Sequence, residues 1–477
     1  MSGTPRDLYF IAIGGTGMAP LACLLQEQGH RVRGSDGPLY PPMSTLLENA
    51  GITPHVGWDP AHLHPAPDLV VVGNAVPRSN PEAEEMERRG LPRLSMPEAL
   101  GQFFLVERRP LVVAGTHGKT TTTSLAAWVY TACGGDPGYL IGGVPIGLPG
   151  SFQVGAGERF VVEGDEYNAA YFDRGAKFLH YRPETAILTS VEYDHADLYP
   201  DFDSLRDAYG RLLELVPDTG RAILCGDSEE VRRLAPRSGG EVVFYGIGEN
   251  NDVRLEGAIE AAAGGGTRFR VRDEAGVYEV SFPMTGTHNV ENALAVWAAA
   301  RGDGYSPEQV AAALAGFRGI QRRQQEIGTA GGVTVVDDFA HHPTAVERTL
   351  EGLRARYGDR PLTVLYEPRS LTAARSFLLD AYRRAFRTAD RVLIAPTFHA
   401  GRLAPEERID FSALSAELSA PGEAAARAFD SMDDLLEAAL DGARAGDVLV
   451  TMSSGSFDGM PRRLLEGLRA QPVGPAG

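Results

Sequence analysis

The chain has 477 residues, enough for about three domains of ordinary size, and its 45 Lys and Arg against 63 Asp and Glu give a formal net charge of −18. Because no block of basic residues offsets that charge, the sequence argues against a nucleic-acid backbone or an anionic membrane surface as a partner. The three widely spaced cysteines exclude a disulfide framework and a cysteine-based zinc site. The first residues lack the basic region and cleavage site of a signal peptide, and no apolar run approaches the ~20 residues of a membrane span, so we expect a cytoplasmic protein.

The first hundred residues show the strand, loop and helix pattern of a Rossmann-like α/β domain, which we end at residue 107. The helix N-terminus after the first strand can receive a diphosphate, and the end of the second strand can hold a ribose or a base; a plain turn explains the same pattern. Residue 20 is proline, so the dinucleotide fingerprint is incomplete. The small and polar residues at these strand ends are Gly14, Gly15, Thr16, Gly17, Ser35, Asp36 and Asn74.

The strongest local signal is Ala-Gly-Thr-His-Gly-Lys-Thr-Thr at residues 114–121, between an apolar strand pattern and a helix pattern. In such a phosphate loop, backbone N–H groups face the phosphates, the lysine reaches the outer ones, and a threonine hydroxyl binds Mg²⁺. Position 113 is valine where the general motif has glycine, so the loop is a shortened variant, and a capped helix after a glycine turn is the alternative. The expected contacts of a nucleoside triphosphate are Gly115, Thr116, Gly118, Lys119, Thr120 and Thr121.

Two acidic segments follow neighbouring strand patterns of the same unit. Glu163 opens the segment Glu-Gly-Asp-Glu, and His195 closes the segment Glu-Tyr-Asp-His. Carboxylate oxygens suit Mg²⁺, although each segment alone is compatible with a solvated turn, and His195 with a capping role. Together with the phosphate loop, these segments predict a metal site made by Thr120, Glu163 and His195.

The rest of the chain continues the α/β pattern. Alternating apolar and polar residues over 267–282 predict a small antiparallel excursion. We assign residues 108–319 to the central domain. The last unit, 320–477, has apolar strand patterns that predict a second Rossmann-like sheet. Three of these strands run into polar segments, at 337–343, 367–370 and 453–455. Ligands bind at the carboxyl ends of such strands, although any one segment is compatible with a polar turn.

The phosphate loop, Glu163, His195 and residues 337–343 together resemble the Mur ligase family, the ATP-dependent amide-forming enzymes of peptidoglycan synthesis. The resemblance implies a UDP-sugar domain at 1–107 that uses the seven strand-end residues named above, a P-loop ATPase-like parallel sheet at 108–319, and an amine-receiving domain at 320–477. It implies ATP and Mg²⁺ as cofactors. The further ATP contacts that it implies are His288, Asn289, Asn292, Arg323, Asp338 and His341.

Similarity to the family's peptidoglycan-recycling branch is carried by five segments: 40–48, 138–145, 172–181, 193–197 and 367–370. It implies a ligase that joins L-alanyl-γ-D-glutamyl-meso-diaminopimelate to UDP-N-acetylmuramate through an acyl phosphate. Residues 198–216, where some members carry a carbamylated lysine, contain no lysine, so a second cation would be held otherwise. The residues expected to be catalytic are Lys119, Glu163 and His195, and those expected to bind the peptide are Arg369, Ser370 and Arg375.

Three other functions stay open from the sequence. A ligase that adds L-alanine to UDP-N-acetylmuramate would share the nucleotide and sugar sites. A Rossmann oxidoreductase would explain residues 14–17 but not the phosphate loop. A non-enzymatic ATP-binding switch would bind ATP without sugar-dependent phosphate release. The sequence does not indicate an oligomeric state.

Overall fold

The computed structural model describes residues 5–194, 198–262, 265–398, 403–419 and 425–470. These residues form three α/β units in chain order, each built on its own main sheet. The predicted fold class, Rossmann-like first and last units around a P-loop ATPase-like sheet, is confirmed. Within the described ranges, no helix is both long enough and apolar enough to cross a bilayer.

The first unit is a five-stranded parallel sheet covered by helices. Its strands are β1 (Asp7–Ile11), β2 (Arg31–Asp36), β3 (His55–Val56), β4 (Leu69–Val72) and β5 (Arg93–Ser95). Its helices are α1 (Met18–Glu27), α2 (Met43–Asn49), α3 (Pro81–Arg89) and α4 (Met96–Leu100). The strand order is β3-β2-β1-β4-β5. The loop after β1 therefore lies where the winding reverses, which is the usual ligand crevice of such sheets.

The second unit is an eleven-stranded mixed sheet with a separate two-stranded ribbon, β10–β11. Its strands are β6 (Arg109–Ala114), β7 (Gly138–Leu140), β8 (Phe152–Gln153), β9 (Arg159–Glu163), β10 (Asn168–Ala170), β11 (Asp173–Ala176), β12 (Thr185–Leu188), β13 (Arg221–Cys225), β14 (Glu241–Gly246), β15 (Val253–Leu255), β16 (Glu260–Ala261), β17 (Thr267–Asp273) and β18 (Gly276–Phe282). Its helices are α5 (Lys119–Ala132), α6 (Phe202–Glu214), α7 (Glu229–Leu234), α8 (Thr287–Gly302) and α9 (Pro307–Ala315). Strand β6 lies between β12 and β9, parallel to both. The hairpin β17–β18 confirms the predicted antiparallel excursion.

The third unit is a six-stranded sheet in the order β19-β20-β24-β21-β22-β23, parallel except for β19. Its strands are β19 (Gln325–Ala330), β20 (Val333–Asp338), β21 (Leu362–Tyr366), β22 (Arg391–Ile394), β23 (Ala425–Ala428) and β24 (Val448–Met452). Its helices are α10 (Pro343–Tyr357), α11 (Leu379–Ala385), α12 (Phe411–Leu418), α13 (Met432–Gly442) and α14 (Met460–Ala470). Buried parallel strands need apolar residues on both faces, which is why the sequence shows them as nearly continuous apolar runs.

One apolar core continues from the first unit into the second. It includes Phe10 of β1 and Phe160 of β9, and Phe104, just after α4, packs against Phe160 with ring centroids 6.1 Å apart. The third unit has two apolar clusters of its own, one on each face of its sheet. Among the described residues, the first two units are thus joined by buried apolar surface, and the third is not part of that core.

The linker into the third unit has an unusual backbone. Arg322 and Gln324 both have positive φ, 60° and 47°. Residues with a side chain rarely adopt this conformation, so other contacts must hold it. Arg322 donates to the Ser453 carbonyl at 2.8 Å, and the Gln324 N–H donates to the Asp338 carboxylate at 2.7 Å. The linker is therefore fastened to the sheet that it leads into.

Candidate functional site

The phosphate loop joins β6 to α5 and requires glycine at two positions. Gly115 has φ +129° and Gly118 has φ +82°. A Cβ at Gly115 would lie 2.2 Å from Thr189 Oγ1, and one at Gly118 would lie 2.9 Å from Asn292 Oδ1. Both the backbone angle and the lack of space therefore exclude larger side chains. Helix α5 begins directly after this loop, so the backbone N–H groups of its first turn lie at the loop, where they would stabilise an anion.

Contacts to the segment after β12 hold the shape of this loop. The Thr116 N–H donates to the Ser190 carbonyl at 3.0 Å, and the His117 N–H donates to Ser190 Oγ at 2.9 Å. The Thr116 hydroxyl donates to the Glu192 carbonyl at 3.0 Å. Two neighbouring strand ends are thus tied together at the edge where the nucleotide was expected.

Lys119 forms a buried ion pair at the loop. Its Nζ lies 2.9 and 2.8 Å from the two carboxylate oxygens of Glu166 and 2.7 Å from the Gly115 carbonyl oxygen. Burial alone would lower the pKa of Lys119, but the negative charge of Glu166 outweighs it and the pKa is raised. The ammonium is therefore charged at neutral pH, as contact with an outer phosphate requires.

Thr120 and Glu163 lie side by side at the carboxyl ends of the strands. The Thr120 hydroxyl donates to Glu163 Oε1 at 2.8 Å, and the Gly142 N–H donates to Glu163 Oε2 at 2.8 Å. Burial raises the pKa of Glu163. Arg323 reaches Thr120 Oγ1 from the linker at 3.3 Å. A hydroxyl and a carboxylate are oxygen donors of the kind that fits Mg²⁺, whereas His195, the third predicted ligand, lies outside the described residues.

A cleft opens beside the loop, between the second and third units. Predicted nucleotide contacts that line it are Gly118, Thr121, His288, Asn289, Asn292, Arg323 and Asp338. Lining residues that the sequence interpretation missed include Glu291, Gln324 and Arg348. The structure thus gathers predicted contacts from four separate segments around one cavity.

The side chains at this cleft are held by mutual contacts. The Asn289 amide donates to the Thr285 carbonyl at 2.7 Å, and Asn292 Oδ1 accepts from the Thr122 hydroxyl at 3.0 Å. Enclosure lowers the pKa of His288 to about 3, helped by the charges of nearby arginines, so its imidazole is neutral. The Asp338 carboxylate accepts from the Ala340 N–H at 2.7 Å and shapes the loop after β20.

His341 is held by contacts within the third unit. Its carbonyl oxygen accepts from the hydroxyls of Tyr366 and Tyr382, each at 2.7 Å, and its Nδ1 lies 3.1 Å from the Phe339 carbonyl oxygen. Burial lowers the pKa of the His341 imidazole. His341 is not among the residues that line the cleft, so its predicted ATP contact stays a prediction.

Hydrogen bonds among His117, Glu192 and Thr344 connect the phosphate loop to α10. His117 Nε2 lies 3.2 Å from Glu192 Oε2, which also accepts from the Thr344 hydroxyl at 2.8 Å. The His342 ring stands 4.9 Å from the His117 ring, centroid to centroid. Burial would raise the pKa of Glu192, but its hydrogen bonds, chiefly from His117, hold it at about 2. A carboxylate of the second unit therefore contacts the third unit directly.

The predicted UDP-sugar residues lie at the carboxyl edge of the first sheet. The Gly14 N–H donates to Asp36 Oδ2 at 2.7 Å, and a Cβ at Gly14 would lie 2.1 Å from Leu39 Cδ2. Asp36 thus braces the loop, whose remaining residues before α1 are Gly15, Thr16 and Gly17. The loop brings the ends of β1 and β2 together, as a site for a diphosphate and a ribose requires.

Two further residues of this set differ in exposure. The Ser35 side chain is fully buried, and its hydroxyl donates to Glu82, a buried carboxylate at the start of α3. Glu82 also accepts from the Tyr9 hydroxyl at 3.0 Å. Asn74, after β4, is exposed. In this structure the Ser35 hydroxyl is buried against Glu82, whereas Asn74 is exposed.

Arg369, a predicted peptide contact, is packed in place after β21. Its guanidinium lies 3.3 Å from Glu367 Oε1, and its Cζ is 4.0 Å from the centre of the Phe398 ring. A Cβ at Gly455 would lie 2.1 Å from its Nε, so that glycine makes room for the arginine. These contacts fix a planar cation at the carboxyl end of the sheet.

The other two predicted peptide contacts follow close by. Arg375 Nη1 lies 3.9 Å from Glu407 Oε1, and its side chain is about three-quarters buried at 28% exposure. The Ser370 hydroxyl accepts from the Ala373 N–H at 3.0 Å and so caps a turn. Their roles toward a peptide stay predictions.

Three family models match consecutive parts of the chain. The model of the Mur ligase family catalytic domain matches residues 7–108, that of the Mur ligase middle domain matches 113–300, and that of the Mur ligase glutamate ligase domain matches 322–455. The matches follow the three sheets of the structure in order.

Individual relatives match nearly the whole chain. UDP-N-acetylmuramate–L-alanyl-gamma-D-glutamyl-meso-2,6-diaminoheptandioate ligase of Escherichia coli K12 is 38% identical over 97% of this chain and 98% of its own. UDP-N-acetylmuramate–L-alanine ligase of Halorhodospira halophila is 36% identical over 98% of this chain and 95% of its own. The crystal structure of a murein peptide ligase from Psychrobacter arcticus superposes with a TM-score of 0.72 at 35% identity, covering 98% of this chain and 99% of that one.

Proposed function

This chain belongs to the Mur ligase family, and from that membership we propose that it joins the tripeptide L-alanyl-γ-D-glutamyl-meso-diaminopimelate to UDP-N-acetylmuramate in peptidoglycan recycling. It is an ATP-dependent ligase that forms a carbon–nitrogen bond. The observation that carries the substrate assignment is the 38% identity, over 97% of the chain, to the Escherichia coli ligase named for that tripeptide. The cytoplasm is the location that we propose.

In the proposed reaction the lactyl carboxylate of UDP-N-acetylmuramate attacks the γ-phosphate of ATP, and the peptide amine then displaces phosphate from the acyl phosphate. Two anions must approach each other in the first step, so positive charge has to be concentrated between them. We assign that role to Lys119. Thr120, Glu163 and His195 would hold Mg²⁺, which would neutralise phosphate charge.

The adenine side of ATP is proposed to occupy the cleft between the second and third units. Asn289 and Asn292 are fixed by other hydrogen bonds, so they offer a rigid surface rather than mobile donors. Arg323 joins this cleft to the proposed metal site through Thr120. Because both units supply residues, a bound nucleotide favours their closed arrangement, which would keep water from the acyl phosphate.

Addition of L-alanine is the second candidate, because the alanine ligase of Halorhodospira halophila is 36% identical over 98% of this chain. The two reactions differ in the amine alone. The third unit must therefore decide between them, and Arg369 and Arg375 are the cations that we propose for the peptide's carboxylates.

Phosphate release with ATP, Mg²⁺ and UDP-N-acetylmuramate, measured with the tripeptide and with L-alanine in parallel, tests the assignment. The tripeptide should give the larger kcat/KM, and its product should contain the intact peptide by mass spectrometry. A larger kcat/KM for L-alanine would reassign the chain to the alanine reaction. ATP binding with no amine-dependent phosphate release would refute both.

A further inference from the structure

We propose that His117, Glu192 and His342 form a site for a borderline-soft divalent cation, with Zn²⁺ as the probe, which joins the phosphate loop to the third unit. The site is separate from the Thr120–Glu163 pair proposed for Mg²⁺. Binding of the cation at this site does not depend on the ligase reaction proposed above.

The first observation is the grouping of the donors. His117 and His342 each offer an imidazole nitrogen and Glu192 a carboxylate oxygen, and these three atoms lie within 4.8 Å of one another. The His117 and Glu192 atoms are already 3.2 Å apart. Two histidines and one carboxylate are a donor set that zinc commonly takes in proteins, with a fourth position open to water.

The second, independent observation is the state of His342. Its side chain is 6% exposed, and among the described residues neither of its ring nitrogens has a hydrogen-bond partner. Polar atoms this deeply buried are nearly always satisfied, so such a histidine calls for a ligand. Its ring stands 4.9 Å from that of His117, centroid to centroid, which places it beside the other two donors.

The chemistry of the donors selects the class of cation. Mg²⁺ prefers oxygen ligands and keeps much of its water, whereas imidazole suits zinc and its neighbours. Two ligands about 2.0 Å from one zinc ion can be at most about 4 Å apart, so the group must contract by about 1 Å. Both hydrogen bonds that Glu192 accepts here, from His117 and Thr344, are made to Oε2, so Oε1 is available for that adjustment among the described residues.

Binding at this position would have a mechanical effect. His117 belongs to the phosphate loop and Glu192 to the segment after β12, while His342 starts α10 of the third unit. A cation held by all three would tie the two units together at the edge of the nucleotide cleft. Since ligation and product release require these units to close and open, zinc should slow turnover, and chelation should restore it.

The decisive experiment is a zinc titration of the full-length protein against a chromophoric chelator, without nucleotide and in excess Mg²⁺ to fill oxygen sites. The wild type should bind one zinc equivalent. His342→Ala and Glu192→Gln should each weaken that equivalent at least tenfold. Co²⁺ in place of zinc should give the intense visible absorption of a four-coordinate imidazole site, and His342→Ala should lose it.

His180→Ala is the matched control, because His180 also contacts a carboxylate, Asp173 at 2.7 Å, and lies near Glu98 in the other group of similar composition. It should leave the zinc equivalent unchanged. Circular dichroism and a thermal melt establish that each variant is folded; if His342→Ala is not, His342→Gln replaces it. Equal affinity in the wild type and both site variants, or loss of the equivalent in His180→Ala alone, would overturn the proposal.

Discussion

Replacing Lys119 by alanine should abolish ligation and also destabilise the central unit. The ammonium lies 2.8 and 2.9 Å from the Glu166 carboxylate, and the two side chains are 14% and 1% exposed. Removing one partner of a buried ion pair typically costs about 3–5 kcal/mol. The variant can limit this loss by protonating a carboxyl, which for an ordinary glutamate at pH 7.5 costs about 4 kcal/mol.

We therefore expect a loss of about 3 kcal/mol in the free energy of unfolding, or roughly 6–12 °C in melting temperature for a unit of this size. In Lys119→Ala the folded state should bind a proton at Glu166 more tightly than the unfolded state does. Stability should then fall as pH rises, so the deficit should be larger at pH 7.5 than at pH 5.5. Urea unfolding and thermal melts at both pH values measure it.

The matched control is the double variant Lys119→Ala, Glu166→Gln, which removes the carboxylate charge together with its cation. It should recover most of the lost stability and none of the activity. A single variant as stable as the wild type at pH 7.5 would refute the reasoning, because it would mean that Lys119 contributes nothing to the neutralisation of Glu166. Near wild-type turnover would refute the role of Lys119 at the phosphates.

Three further results are expected. Glu163→Gln, and likewise His195→Ala, should raise the Mg²⁺ concentration for half-maximal rate because each removes a proposed ligand; an unchanged magnesium titration in both would move the metal to other carboxylates. Arg369→Ala should raise the KM for tripeptide at least tenfold, about 1.4 kcal/mol, with little change for ATP or UDP-N-acetylmuramate, whereas equal weakening of all three would indicate a defect in closure. Enclosure lowers the pKa of His288 to about 3, so its contribution to stability is fully present above about pH 6.5 and is lost as pH falls toward 3. His288→Asn should make the free energy of unfolding in urea less dependent on pH across that window. An unaltered pH profile would contradict the neutral, enclosed imidazole.

The sequence predicted best what is local. The phosphate loop is recognisable from eight consecutive residues between a strand pattern and a helix pattern, and the structure has it between β6 and α5. The three-unit fold follows in the same way from apolar runs that end in polar segments. Glu163 and Thr120, both expected at the metal site, lie 2.8 Å apart because they follow neighbouring parallel strands whose carboxyl ends share one edge.

Contacts between distant segments could not be predicted in this way. The bond from Thr344 to Glu192 spans 152 positions and joins two units whose relative placement no periodicity encodes. Arg348 lies on the cleft side of α10, yet its surroundings in the sequence resemble those of any helical arginine. The Ser35 hydroxyl was expected near a ribose because it ends a strand, but side chains alternate along a strand, and this one is turned into the fold toward Glu82.

The apolar core that runs through Phe104 and Phe160 divides the molecule unequally. A protease cut in the linker near Arg322 would break the covalent connection to the third unit, which is not part of that core, while the first two would stay together as one body. That larger fragment would keep both the proposed sugar crevice and the phosphate loop. It would lack the arginines proposed for the peptide and the far wall of the cleft proposed for the nucleotide. Mixing the two fragments is therefore a direct way to measure what their covalent connection contributes to catalysis.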